Sequence, residues 1–125
     1  MLRIIVLIFT ALIPLSDAKA GTITFTCIYE FYNDNKGGKH SIDNEFKLSF
    51  VIDEDNGKAY MVGNNGSNEV TPISGSDGIS FIEVTDAGNV MTTSIVKSGA
   101  TVHSRNTIMF GDIIASQYFG TCSVI

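Results

Sequence analysis

Three consecutive carboxylates, Asp53, Glu54 and Asp55, stand directly ahead of Asn56 and Gly57 and form the densest run of oxygen ligands in the chain. The order resembles the front half of a calcium loop. A complete calcium site takes about six to eight oxygens and usually closes on a bidentate Glu. Tyr60 and Met61 follow instead. The run therefore reads as an exposed acidic hairpin turn in which Asn-Gly supplies positive φ, and no metal or cofactor is expected.

A second group lies at Val102-His103-Ser104-Arg105-Asn106-Thr107, the most polar stretch inside a predicted strand. If Val102, Ile108 and Phe110 point inward, Ser104 and Asn106 point inward with them, beside Ser116. His103, Arg105 and Thr107 then share the outer face. Two functional readings follow. Ser104 and Asn106 form a polar patch in a ligand cavity, or Arg105 grips a carboxylate or phosphate on the outside. The plain alternative is a hydrogen-bonded core network backed by a solvated face.

Hydrolytic chemistry has some of its parts. Ser104 or Ser116 with His103 and an Asp are the types a nucleophilic triad needs, but neighbours on a strand point to opposite faces. Glu45, Glu69 and Glu83 offer carboxylates for a glycosidase pair. The chain contains no nucleophile elbow, H-E-x-x-H or phosphate loop. A hydrolase is the third reading, behind binding functions.

The elements that must carry these residues show a two-residue period. Ile23, Phe25, Cys27, Tyr29 and Phe31 make one apolar strand face, and Phe46, Leu48, Phe50 and Ile52 make another. Turn residues then separate strands over Lys58–Val62, Glu69–Ser74, Ile79–Thr85, Val90–Lys97, Thr101–Phe110 and Ile113–Ser123. Pro72 marks an edge or a bulge, and Tyr32–Asn44 reads as the one long loop. Eight strands on short links predict an all-β antiparallel meander, closed as a small barrel, with a β-sandwich as second choice.

Cys27 and Cys122 are the only cysteines. Paired, they join the first strand to the last and close the seam of a barrel; a redox or metal pair is the alternative without C-x-x-C support. Arg3, the apolar run Ile4–Leu15 and Ala18-Lys19-Ala20 read as a signal peptide over 1–20, with one mature domain over 21–125. This predicts a periplasmic or secreted protein with no membrane insertion. Beyond residue 20 there are twelve carboxylates and six cations, a net charge of −6 against −5 for the whole chain. That balance argues against nucleic acid and suits a basic protein partner. Asn65-Gly66-Ser67 is a glycosylation sequon, relevant only to eukaryotic export.

An exported eight-stranded meander with terminal cysteines resembles the C-type lysozyme inhibitor family of small periplasmic barrels. That family plugs the lysozyme cleft with a Ser-Gly loop followed by a Tyr and a downstream Lys-Gly. Ser98-Gly99 matches the first element; Val102 or His103 stands at the Tyr position, and no Lys-Gly follows. The Ser104–Thr107 strand and the C-terminal Gly120–Cys122 also resemble uncharacterised exported bacterial proteins. The expectation is a non-catalytic binding module, monomeric or homodimeric. It inhibits a secreted hydrolase such as lysozyme, with Asp53, Glu54, Asp55, Ser98, His103 and Arg105 as binding residues. The alternative is a lipocalin-like carrier of a small ligand.

Overall fold

A computed structural model describes residues 21–125; the proposed signal peptide lies outside the described residues. Eight antiparallel strands run in sequence order and close on themselves: β1 (Thr22–Asp34), β2 (Lys39–Asp53), β3 (Lys58–Gly63), β4 (Gly66–Ser74), β5 (Gly78–Val84), β6 (Val90–Val96), β7 (Ala100–Met109) and β8 (Asp112–Val124). The barrel rather than the sandwich is the fold. Closure pairs β1 with β8, and Cys27 and Cys122 face each other in that register and are joined by a disulfide. The bond marks an oxidising, non-cytoplasmic compartment.

Alternation puts Cys27, Tyr29, Leu48, Phe50, Phe81 and Ile95 in the buried interior. Phe50 stacks on Phe81 with ring centroids 4.6 Å apart, and Phe25 meets Phe81 edge-on. Small barrels of this strand number are either filled by side chains or hold one small ligand.

Three expectations need correction. The long loop Tyr32–Asn44 is mostly strand: β1 and β2 continue past the barrel body to a tight turn at residues 35–38. Asp34 accepts hydrogen bonds from the Lys36 and Gly38 amides, which closes that turn. Next, a bulge between Tyr29 and Phe31 reverses the facing of β1. Phe31 leaves the interior to stack on Phe119, and Tyr32 stacks on Tyr118 and His40. Gly120 lies opposite the bulge, where a Cβ would overlap the Ile28 carbonyl oxygen. Lastly, the β7–β8 turn is Phe110-Gly111 rather than Gly111-Asp112.

Candidate functional site

Strand β7 faces the opposite way from the expectation. His103 is fully buried, and Thr101 is buried beside it, while Val102, Ser104 and Asn106 take the outer face. The register pairs His103 with Tyr118 and with Thr93. That places the imidazole among the interior rings of Tyr29, Phe46 and Tyr118. Ser104 lies outside, where its hydroxyl oxygen accepts from Gln117 Nε2 at 3.1 Å. Ser116 is paired with Arg105, not Ser104, so the expected inward Ser104–Asn106–Ser116 patch does not form.

His103 is held at both nitrogens. Nδ1 lies 2.6 Å from Thr93 Oγ1, and Nε2 accepts from Arg105 Nε at 3.1 Å. An accepting Nε2 leaves the proton on Nδ1, which donates to Thr93. Burial, reinforced by the Arg105 charge, pushes the His103 pKa down to about 3. The ring is therefore neutral at ordinary pH. Burial likewise pushes the Tyr29 phenol up to about 12, although Thr101 lies within hydrogen-bonding reach at 3.3 Å. Arg105 extends from this cluster with its guanidinium over the faces of Phe46 and Tyr118, 5.2 and 5.1 Å from the centroids.

The barrel has two distinct mouths. At the mouth carrying the β3–β4 and β5–β6 turns, Arg105 and Glu83 both line a cavity of about 380 Å³ together with Phe46, Met61 and Met91. Glu83 is buried, and its Oε1 has no hydrogen-bond partner among the described residues. Glu69 sits on the outer side of β4, exposed and 3.9 Å from Lys58. Glu45 is also exposed. The three glutamates considered for a glycosidase pair therefore do not converge.

The opposite mouth holds a larger and more apolar cavity, about 660 Å³, lined by Ile23, Phe25, Ile52, Pro72, Ile79 and Ile95 among others. Gly75, Gly78 and Gly99 belong to its lip. Gly78 cannot gain a side chain: a Cβ would overlap the Ile95 carbonyl oxygen. Glu54, Lys97 and Ser98 supply the polar lip.

The six expected binding residues thus divide between the ends. Glu54 and Ser98 share the apolar mouth. Asp53 turns its carboxylate back onto its own hairpin, accepting from Asn56 Nδ2 at 2.7 Å, and Asp55 lies beside Gly21. His103 is interior and Arg105 belongs to the other mouth. Ser98-Gly99 does not protrude: Gly99 donates to Val96 and accepts from the Cys122 amide, pinning the turn against β8. Sequence reasoning missed the apolar lining and Glu83 as an interior residue. The period-two pattern marked Ile23, Phe25 and Ile52 as one-face apolar residues but carried no measure of the space between them.

Comparison with known protein families, curated proteins and solved structures gave no match.

Proposed function

We propose that this protein is an exported, non-catalytic carrier, periplasmic or secreted, that takes a small apolar molecule into the mouth formed by the β2–β3, β4–β5 and β6–β7 turns. The observation that carries this reading is the apolar cavity of about 660 Å³. Ligand pockets in proteins span about 300–1,000 Å³ and are mostly apolar with a few polar groups for orientation. Lys97 and Glu54 at the lip supply such groups. The test is a fluorescence titration with Nile red, a neutral apolar probe, on the wild type and on Ile79→Glu. Saturable binding by the wild type, lost in the variant at unchanged fold, supports the carrier. No binding by the wild type, or equal binding by both proteins, rejects it.

A second reading, inhibition of a basic hydrolase such as lysozyme, draws on Glu54, Ser98 and Gly99 sharing that mouth, with Asp53 and Asp55 in the same turn. Acidic groups there would steer a basic partner. A lysozyme assay with the wild type and the Asp53→Asn/Glu54→Gln/Asp55→Asn variant decides it. Strongly salt-sensitive inhibition by the wild type, and weaker inhibition by the variant, supports this reading; inactivity of the wild type removes it.

A further inference from the structure

The β7–β8 hairpin ends in a run of large apolar side chains that nothing covers. Phe110 is 96% exposed, and Ile108, Met109, Ile113 and Ile114 are all among the exposed hydrophobics. Contiguous exposed apolar surface of this kind marks an interaction site.

The conformation of Phe110 strengthens the point. Phe110 and Gly111 form a two-residue turn with φ of 52° and 81°, the primed geometry that favours Asn-Gly or Asp-Gly. Phe110 is the only non-glycine residue at positive φ among the described residues. A bulky side chain at that φ is unfavourable, and its ring gains no burial in return. Such an outlier points to a use for the side chain.

The distribution of the apolar residues identifies the occupant. Ile108 and Ile113 are cross-strand partners on the outer face of the hairpin. Met109 and Ile114 lie on the other face by alternation, and Phe110 crowns the turn. A protein docked on one face would leave the other in water. The surface of a lipid bilayer surrounds an inserted tip on all sides. The adjacent β1–β2 turn is tied on by Asn35, which donates to the Ile113 carbonyl at 3.3 Å. It places Lys36 and Lys39 at this end, where lipid phosphates would lie. We propose that the β7–β8 tip is a shallow membrane-binding wedge, with Phe110 inserted to the headgroup–acyl boundary. Asp34 and Asp112 lie at this same end and offset Lys36 and Lys39, so the apolar tip is the main source of binding.

The test is flotation with phosphatidylcholine vesicles at low and high salt. The wild type should float at both. Phe110→Asn should lower partitioning by about tenfold or more, the scale of losing one buried aromatic side chain. The same change should raise Tm by roughly 4 °C in the absence of lipid, because Asn accepts positive φ more readily. The chain contains no Trp, so Phe110→Trp introduces a single reporter whose emission should shift to the blue on vesicles. Absence of flotation by the wild type, or undiminished flotation by Phe110→Asn, overturns the proposal. Sedimentation showing a dimer that Phe110→Asn dissolves, without vesicle binding, assigns the tip to a second copy and overturns it as well.

Discussion

Arg105 Nε donates to His103 Nε2 at 3.1 Å, from two residues further along the same strand face. The bond fixes the imidazole as the Nδ1–H tautomer and keeps a permanent cation beside it. His103 is consequently a structural group with a pH signature. Its pKa falls from an ordinary 6.5 to about 3 on folding, so the unfolded chain takes up a proton that the native barrel refuses. The stability this neutral ring contributes is complete above pH 6.5 and is lost as pH falls toward 3. The steepest loss is about 1.4 kcal/mol per pH unit. Urea denaturation between about pH 6 and pH 4 should show a shallower slope for His103→Gln than for the wild type. Equal slopes would place the acid sensitivity elsewhere.

Arg105→Met tests the other half of the relationship. Removing the guanidinium takes away the second cause of the lowered His103 pKa, so the imidazole should titrate at higher pH than in the wild type. It also removes the contacts over Phe46 and Tyr118, which should cost about 1–2 kcal/mol in stability. NMR titration of the ring and a thermal melt read the two effects separately.

The disulfide joins strands at the only seam where the first and last elements meet. Opening it frees a loop of sequence separation 95, and the chain-entropy scale puts the loss near 4–5 kcal/mol. A Cys27→Ala/Cys122→Ala variant should show that loss in urea denaturation. A loss below about 1 kcal/mol would mean that the β1–β8 ladder holds the seam unaided.

Fold and site were unequally legible in the sequence. On β1 and β2 one face is aromatic or aliphatic and the other polar, so Phe25, Cys27, Tyr29, Leu48 and Phe50 could be assigned inward from alternation alone. On β7 both faces mix. Val102, Ile108 and Phe110 outweigh His103 and Thr107 on any hydropathy scale, yet the latter face inward, where Phe46 and Tyr118 offer His103 edge-on and tilted ring contacts and Thr93 a hydrogen bond. Those partners come from three other strands, and no local pattern encodes them. Ile108 and Phe110 misled because they are exposed at the hairpin tip instead of packed within the barrel. The bulge after Tyr29 was hidden in the same way, since one extra residue leaves composition unchanged while reversing every later facing. The 660 Å³ cavity depends on how closed strands space their inner side chains, which only the assembled barrel determines.

Glu83 is the one buried side chain whose charge-bearing oxygen lacks a partner, Oε1 having no hydrogen bond among the described residues. An unsatisfied buried acceptor costs about 1–3 kcal/mol, and more when charged. Its neighbours in the cavity include Met61, Met91 and Phe46, which would accept a thioether of similar length. Glu83→Met should therefore raise stability by at least about 1 kcal/mol, seen as an increase in Tm and in the urea midpoint with unchanged m. The opposite change, Met91→Glu, adds a second carboxylate to the same cavity and should lower Tm. The pair of signs is the informative result, because general loosening of the barrel would lower Tm in both variants. A fall in Tm for Glu83→Met would show that its carboxylate has a stabilising partner in solution, such as an ordered water, and that the interior of this mouth is wet.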